Sequence, residues 1–312
     1  MAAIVTLTLN PALDITTSVD VVSHTHKLRC GPASTEAGGG GVNVARVADR
    51  LGATALAILP LGGANGTRLA RELDLEGVMH ADIGCEGETR ESFTVNELST
   101  GNQFRFVVPG EPLDADTLQR CRDEVLAACA DAKCFVISGS MPGGVPDGYI
   151  TELIEAVAAL GVDVVVDTSG PALLEAIMAP SRVVKPSARE LCGAVGRELF
   201  TEYEIQGGLV ELMASARCGA IVVSIGAGGA MVLDQDGRFV RFRAPSVRVA
   251  SAVGAGDSMV AGMAVELARG GSVDDAVHLG IAAGTAAVLT AGSELCRPAD
   301  IESLHHLVTR ST

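Results

Sequence analysis

The sequence has no tryptophan, two tyrosines and seven phenylalanines, so aliphatic side chains must fill most of its core. Lysine is scarce as well, occurring at Lys27, Lys133 and Lys185. With 38 acidic residues against 23 lysines and arginines, the formal charge at pH 7 is −15. Phosphate backbones and anionic lipids attract basic surfaces, so we expect neither nucleic acid nor a membrane as a partner. Any anionic ligand must be held by a few local cations.

The eight cysteines are scattered, with no C-x-x-C and no spacing typical of a metal site. Free thiols of this kind are typical of a reducing compartment. The first seven residues lack the basic segment and long apolar run of a signal peptide, and no later apolar run could cross a bilayer without a glycine or a charge. These absences predict a cytoplasmic protein.

Strand and helix patterns alternate through most of the 312 residues. Apolar runs typical of buried strands lie at 4–9, 55–61, 134–138, 162–167, 182–185 and 220–224. Helix patterns separate most of these runs, and a last helix is predicted over 299–310. Such alternation implies right-handed crossovers and a mostly parallel sheet with helices on both faces. We expect one α/β domain over residues 1–312.

Two segments interrupt this alternation. Residues 15–36 alternate loosely and are rich in Thr, Val and Ser, and residues 88–108 contain two alternating runs around a Ser-Thr-Gly turn, which predicts a hairpin. Four strands of this kind can pair as a small sheet outside the main one. Because such a sheet must cover its apolar face, we expect it to be a lid or a dimer surface.

Polar loops follow several of the predicted strands. The carboxyl ends of parallel strands meet at one edge of a sheet, and ligands bind at that edge in open α/β folds. Loops of this kind occur at 138–140, 167–169 and 185–187, and a glycine-rich turn at 225–229 follows another strand. Asp14, just after the first strand, is a candidate ligand-facing carboxylate, although an Asx-turn acid would give the same pattern.

Four consecutive glycines, at 38–41, precede a helix that carries Asn43 in its first turn. Residues without a Cβ let the backbone lie against a bound molecule, and the Asn43 amide can meet a hydroxyl. The run matches neither G-x-G-x-x-G nor G-x-x-x-x-G-K-[ST], so it is a weak signal for a phosphate loop. The missing G-x-G-x-x-G also disfavours a dinucleotide-dependent dehydrogenase. A flexible hinge is the competing interpretation of the glycines.

The turn at 251–257 places Gly254, Gly256 and Asp257 at the start of a helix predicted over 255–269. Its exposed N–H groups and the positive end of the helix dipole can hold an anion, such as a phosphoryl group in transfer. Asp257 then lies where a general base is needed. Taken alone, the same pattern also fits an ordinary glycine turn with an aspartate capping the helix.

Together these motifs resemble the ribokinase or PfkB family of carbohydrate kinases, in consistent order from Ile4 to about Pro298. The resemblance implies a ribokinase-like three-layer α/β/α sandwich with a small β-sheet lid. It makes Asp257 the base that deprotonates the sugar hydroxyl attacking the γ-phosphate of ATP. The amides of Gly254, Ala255 and Gly256 would stabilise the transferring phosphoryl group.

The opening residues resemble the branch of the family that phosphorylates sugar phosphates. In that resemblance Asp14, Gly39, Gly40 and Asn43 contact the sugar. The resemblance also implies that Arg90, Ser140 and Lys27 would hold the sugar phosphate, with the lysine reaching in from the partner subunit of a homodimer formed through the lid.

Gly40 also bears on the choice of substrate. Relatives acting on fructose 1-phosphate or tagatose 6-phosphate usually carry Lys at this position, whereas minor 6-phosphofructokinases carry Gly. Fructose 6-phosphate is therefore the favoured substrate, with the other two sugar phosphates as alternatives.

The same resemblance implies MgATP as the second substrate. The residues that would line the nucleotide are Lys185, Ser187, Ser224, Gly226, Gly229, Ser251, Val253 and Gly284. Glu190 would act on Mg²⁺ through water, and carbonyls near Ser251, Val253, Ala287 and Gly292 could hold K⁺. Ser187 and Ala252 depart from the usual residues, Asn and Thr, and these two changes are the only support for a non-catalytic sensor of sugar phosphate or nucleotide.

Overall fold

A computed structural model describes residues 2–24, 26–290 and 294–311. Its strands are β1 (Ile4–Leu7), β2 (Ala12–Val19), β3 (Ser34–Gly38), β4 (Ala55–Leu61), β5 (Met79–Gly84), β6 (Arg90–Glu97), β7 (Gln103–Val107), β8 (Cys134–Ser138), β9 (Asp163–Asp167), β10 (Val183–Val184), β11 (Ala220–Ser224), β12 (Ala230–Asp234), β13 (Phe239–Arg243) and β14 (Thr309–Ser311). Its helices are α1 (Gly40–Arg50), α2 (Gly63–Glu76), α3 (Ala115–Cys129), α4 (Tyr149–Ala158), α5 (Pro171–Met178), α6 (Ala188–Val195), α7 (Glu202–Met213), α8 (Ala255–Ala268), α9 (Val273–Ala287) and α10 (Pro298–His305).

The described residues form a ten-stranded sheet in the order β14-β13-β12-β11-β10-β9-β8-β1-β4-β5. All pairings from β5 across to β11 are parallel, and the three pairings from β11 to β14 are antiparallel. The short apolar strand β1 is central, with Ile4 opposite Ala55 on one side and Cys134 on the other. Strands buried on both sides in this way read as continuous apolar runs, as β1 does.

Two apolar cores lie on opposite faces of this sheet. Side chains alternate between the faces, so that Val165 of β9 belongs to one core while Val164 and Val166 belong to the other. One core packs against α1, α2, α8, α9 and α10, and the other against α3, α4, α5 and α7. The predicted ribokinase-like three-layer α/β/α sandwich is confirmed. None of the helices in the described residues is long and apolar enough to cross a bilayer.

The two interrupting segments form one separate four-stranded sheet, in the order β3-β2-β6-β7. The β2–β3 and β6–β7 pairings are antiparallel, as expected for a ribbon and a hairpin. The two halves join through a parallel pairing of β2 with β6, which sets Asp14 opposite Ser92. The predicted small sheet is thus confirmed, and we call it the lid sheet.

The helix predicted over 299–310 is wrong in its second half. Helix α10 ends at His305, and the chain then extends into β14, which pairs antiparallel with β13 at the edge of the main sheet. The apolar spacing continues to Val308, which is buried, but the open edge of β13 offers backbone hydrogen bonds that a longer helix would leave unpaired.

Candidate active site

A cleft of about 290 Å³ lies between the lid sheet and the carboxyl edge of the main sheet. The lid contributes Ala12, Asp14, Arg90, Ser92, Arg105 and Val107 to its wall. The main fold contributes Gly39, Gly40, Asn43, Val253, Gly254, Gly256 and Asp257. Sequence positions more than 200 residues apart therefore meet in one cleft, and the expected sugar side and catalytic turn face each other.

Asp257 lies in the first turn of α8, directly after the turn that the sequence singles out. Gly254 is the N-cap residue with φ 73°, a left-handed conformation that favours glycine. The Nδ2 group of Asn43 donates a 2.8 Å hydrogen bond to Oδ2 of Asp257. A carboxylate held at a helix start and aimed into the cleft fits both the base and the cap interpretations, and its position in the cleft favours the base.

Burial raises the pKa of Asp257 above its ordinary value, and the nearby Asp14 carboxylate raises it further. The hydrogen bond from Asn43 and the positive charges of Lys185 and Arg105 act in the opposite direction. Burial is the largest of these effects. A carboxylate made more basic by burial, yet kept in contact with an N–H donor, is suited to accept a proton.

The glycine run at 38–41 is packed tightly and does not form a loose hinge. At Gly39, which has φ 122°, a Cβ would lie 2.7 Å from Thr8 Cγ2. At Gly41 a Cβ would lie 2.5 Å from Thr8 Oγ1, and at Gly40 it would clash with the Ser138 hydroxyl. The glycines therefore let the start of α1 approach β1 and β8, which brings Asn43 to the cleft.

Asp14 does not follow a strand, as the sequence suggested, but lies within β2 of the lid sheet. Burial raises its pKa, while Arg105 and Arg90 lower it. The Arg90 guanidinium donates to Ser92 Oγ and to the carbonyls of Asn10 and Val108 at 3.1–3.3 Å. These bonds hold Arg90 at the cleft wall beside Asp14.

Arg105 is a cleft residue that sequence analysis missed. It lies in β7 opposite Thr94, and its side chain faces the cleft because alternate residues of a strand point to the same side. The alternation Phe104, Arg105, Phe106 is the signal that could have found it, since one charged residue between two apolar ones marks the opposite face of the strand.

Two predicted phosphate ligands do not line the cleft of this single chain. Lys27 is exposed in the segment between β2 and β3. Ser140 is exposed after β8, where its Oγ accepts a 3.0 Å hydrogen bond from Asn10 Nδ2. Asn10 also accepts from Arg90 through its carbonyl, so Ser140 and Arg90 are joined through one intermediate residue.

Lys185 is 3% exposed, and its Nζ lies 3.0 Å from Oδ1 of Asp167. Burial outweighs the lysine charge and raises the pKa of Asp167 to about 6. A Cβ at Gly256 would lie 3.9 Å from Lys185 Nζ, so the ammonium group borders the start of α8. The ammonium group and the N-terminus of α8 both favour a nearby anion, although Asp167 offsets part of the lysine charge.

The predicted nucleotide loops adjoin this cation. Ser187 and Glu190 form a capping box at the start of α6, in which the Ser187 N–H donates to Glu190 Oε2 at 2.7 Å. Serine is a good N-cap residue, so the departure at Ser187 preserves the helix start. Ser187 also forms an isolated parallel β-bridge with Ser224. The 3₁₀ turn Gly226–Gly228 follows Ser224 in the chain.

The remaining predicted residues lie around α8 and α9. Ser251 is buried, and its Oγ accepts from the Val253 N–H at 3.2 Å, which fixes the turn before α8. At Gly284 of α9 a Cβ would lie 2.9 Å from the carbonyl oxygen of Ala255, so close helix packing explains this glycine. Gly292, predicted near a K⁺ site, lies outside the described residues.

The model of the pfkB family of carbohydrate kinases matches residues 7–300. ATP-dependent 6-phosphofructokinase isozyme 2 of Mycobacterium tuberculosis is 44% identical over 229 residues, covering 73% of this chain and 67% of that protein. The crystal structure of phosphofructokinase-2 from Escherichia coli with fructose-6-phosphate has a TM-score of 0.90 and 38% identity, covering 98% and 99% of the two chains. Other structures of that protein are a complex with potassium and a tetrameric inhibited form. The chain belongs to the pfkB family of carbohydrate kinases.

Proposed function

We propose that the protein transfers the γ-phosphoryl group of ATP to fructose 6-phosphate, producing fructose 1,6-bisphosphate and ADP. The observation that carries this proposal is the position of Asp257, which faces a cleft whose opposite wall holds Arg90 and Arg105. A substrate with a phosphate at one end and a hydroxyl at the other fits this cleft, because the phosphate can meet the two arginines while the hydroxyl meets Asp257. The Mycobacterium tuberculosis and Escherichia coli relatives carry the name of this activity.

In the proposed reaction, Asp257 accepts the proton of the sugar 1-hydroxyl as its oxygen attacks the γ-phosphorus. A new oxygen–phosphorus bond forms, the bond to the bridging oxygen breaks, and ADP departs. Proton transfer to a correctly positioned carboxylate increases the rate by roughly 10²–10⁴-fold. Positioning and charge stabilisation supply the rest, because phosphoryl transfer needs little covalent help from the protein.

The amides of Gly254, Ala255 and Gly256 form the proposed anion hole for the transferring group. They lie at the N-cap and in the first turn of α8, where N–H groups have no partner within the helix. Lys185 adds a positive charge at the same place. Fixed donors aimed at developing charge do not need to reorganise during the reaction. This is the proposed role of the turn at 251–257.

Asp14, Gly39, Gly40 and Asn43 are the proposed sugar contacts. The Asn43 amide already donates one N–H to Asp257, and its second N–H can bind a sugar hydroxyl. Arg90 and Arg105 would hold the 6-phosphate, with Ser140 reaching it past Asn10. Arginine suits this role because its planar fork matches phosphate oxygens.

The nucleotide would lie along Lys185, Ser187, Ser224, Gly226, Gly229, Ser251 and Val253, with Gly284 fixing α8 from behind. Mg²⁺ usually binds through one or two carboxylates, water and substrate phosphates, and Glu190 is the carboxylate we assign to it, acting through water. When bound, the ion neutralises negative charge on the phosphates. K⁺ is proposed at the carbonyls near Ser251, Val253 and Ala287.

The lid sheet is also the proposed dimer surface. Its outer face carries the cross-strand row Ile15, Phe93 and Phe106 and the row Val95 and Phe104. Phe93 is 40% exposed and Phe106 is 57% exposed. A second copy of the same face would cover these rings. It would also bring the partner subunit's Lys27 towards the sugar phosphate, which accounts for the exposure of this loop in one chain.

One assay separates the alternatives. Purified protein with MgATP is given fructose 6-phosphate, fructose 1-phosphate, tagatose 6-phosphate or ribose, and ADP release is followed. We expect the highest kcat/KM with fructose 6-phosphate. ADP release at background with every sugar would rule out a kinase and favour the sensor. A preference for fructose 1-phosphate or tagatose 6-phosphate would reject our choice of substrate.

A further inference from the structure

Arg46 is a buried cation at the sugar-side helix that sequence analysis left without a role. It lies in α1, one turn after Asn43, and is 5% exposed. Its Nε and Nη2 donate to the two carboxylate oxygens of Glu76 at 2.7 and 2.8 Å. Its Nη1 donates to the Ala37 carbonyl and to Oδ1 of Asn43, each at 3.3 Å.

The contact between Arg46 and Asn43 decides which way the Asn43 amide points. The oxygen and nitrogen ends of a side-chain amide have nearly the same shape, so hydrogen-bond partners set its orientation. Arginine only donates, and the amide oxygen must therefore face Arg46. The NH₂ end is then directed at Asp257, where it donates at 2.8 Å.

We propose that Arg46 is a positioning residue for phosphoryl transfer: by fixing the Asn43 amide, it keeps an N–H donor on Asp257 and so holds that carboxylate ready as a base. The inference rests on the proposed function of Asp257. In the reversed orientation the amide oxygen would face a carboxylate oxygen at hydrogen-bond distance. Two acceptors can meet there only when Asp257 carries a proton, and a protonated Asp257 cannot act as a base.

Arg46 is itself fixed from two other elements. Glu76 at the end of α2 binds its guanidinium in a two-pronged pair, which is the most directional arrangement for arginine. The Ala37 carbonyl and the Glu36 carboxylate, at 3.8 Å, belong to β3 of the lid sheet. The orientation of the Asn43 amide therefore depends on α2 and on the lid sheet being in place.

The other charged groups that act on Asp257 are not the ion-pair partners of Arg46, which are Glu76 and Glu36. Lys185 and Arg105 favour the ionised carboxylate, and Asp14 opposes it. Asp167 is the partner of Lys185. Any change in the titration of Asp257 on replacing Arg46 is then due to the lost amide orientation or to the lost positive charge, and the test must separate these two.

The first measurement is the pH dependence of kcat/KM in R46M. We expect the acidic limb of the profile to move up by about one unit, because the donated bond that favours the charged form is lost. Activity should then fall about tenfold at the acidic end and much less at the alkaline end. R46K should recover part of the shift, since lysine can still donate to Asn43. R238M is the control, because it removes a comparable two-pronged arginine–carboxylate pair, with Asp274, at the far edge of the sheet. It should not shift the pH profile.

The second measurement is a double-mutant cycle that combines R46M with N43A. In each variant the pKa of Asp257 is measured by carbon NMR of labelled aspartate, and D257N assigns the Asp257 signal. If the effect passes through the amide, R46M shifts this pKa in the wild-type background and not in N43A. An equal shift in both backgrounds would overturn the proposal in favour of a direct charge effect. So would a loss of activity that is the same at every pH.

E76Q provides the test if R46M does not fold. Glu76 is 31% exposed, so glutamine can be solvated there while Arg46 loses its anchor. In E76Q we expect the pKa of Asp257 to rise by less than in R46M. If the pKa of Asp257 is unchanged in both single variants, E76Q and R46K, the inference is rejected. A wild-type protein that lacks kinase activity, yet shows the predicted NMR shifts, would reject the proposed function and keep the role of Arg46 as an orienting residue.

Discussion

Several influences act on the Asp257 carboxylate: burial, a donated hydrogen bond from Asn43, the positive charges of Lys185 and Arg105, and the negative charge of Asp14. At the scale of single residues this combination makes its replacement the most direct test of the chemistry. An amide at position 257 keeps the size and the helix start and cannot take a proton.

We expect D257N to lower kcat by about 10²-fold or more with little change in either KM, because a general base, the role proposed for Asp257, acts in the transition state and adds little to ground-state binding. Steady-state kinetics with both substrates varied gives the two constants. D116N is the matched control, since Asp116 also lies in the first turn of a helix, α3, and is far from the cleft. A large rise in KM with an unchanged kcat would show that Asp257 only binds the sugar.

Arg105 allows a second prediction at this scale. R105M should raise the KM for fructose 6-phosphate by about 10- to 100-fold and change the KM for ATP little, because a charge-assisted bond to phosphate is lost. R68M is the control, since Arg68 of α2 makes an exposed ion pair at 3.7 Å with Glu91 of the lid sheet. Equal increases for R105M and R68M would mean that positive charge near the lid sheet, and not the position of Arg105, matters.

Several cleft residues could be found from sequence because they occur in short, ordered motifs. Asp257 and its glycines form such a motif, and so do the glycine run and Asn43. Arg105 and Arg46 were missed because each is a single arginine on a regular element. The alternation around Arg105 indicates its face of the strand, but only the folded chain shows that this face borders the cleft. The partner of Arg46 at Glu76 is 30 residues away, which no local pattern reveals.

At the scale of elements, the lid sheet illustrates both the reach and the limit of sequence patterns. Its two halves are local and were predicted, because alternation and turn residues lie within a few positions of each other. The parallel join of β2 to β6 connects residues about 80 positions apart, and pairing at that distance depends on the tertiary fold. The placement of Asp14 failed for the same reason.

The outer face of the lid sheet carries a prediction about assembly. F106D should convert a dimer into a monomer, because a charge in the row of exposed rings would have to be buried without a partner. Size-exclusion chromatography with light scattering measures the mass. L75D is the matched control, since Leu75 is 70% exposed on α2 and lies outside the lid sheet. A wild-type protein that is monomeric, or an F106D dimer, would refute the lid-mediated interface.

For the whole molecule, stability should depend on pH through the C-terminal elements. His278 of α9 lies 3.1 Å from His305 of α10, nitrogen to nitrogen, and its Nε2 contacts the Val308 carbonyl at 3.2 Å. Burial, together with the neighbouring His305 and Arg310, lowers the pKa of His278 below its ordinary value of 6.5, against the pull of Asp275. The folded protein thus favours the neutral ring, and the unfolded chain takes up the proton first as the pH falls.

The contribution of His278 to the free energy of unfolding is therefore complete above about pH 6.5 and decreases as the pH falls through the lower, folded pKa. Urea denaturation at about pH 7.5 and about pH 5 should show a smaller decrease for H278Q than for the wild type. H306Q, at an exposed neighbouring histidine, should match the wild type. If the free energy of unfolding of H278Q decreases as much as that of the wild type between these two pH values, groups other than His278 cause the pH dependence.

Two of the connections between the lid sheet and the main fold are very short: residues 8–11 link β1 to β2, and Gly39 links β3 to α1. Gly39 lines the cleft, and the Asn10 carbonyl holds Arg90. An outward swing of the lid would turn these same residues, so opening the cleft would also disturb the proposed sugar site. Water is the most abundant competing hydroxyl, but it carries no phosphate that could bind Arg90 and Arg105 and hold the lid closed. We therefore expect idle hydrolysis of ATP to be slow for a geometric reason.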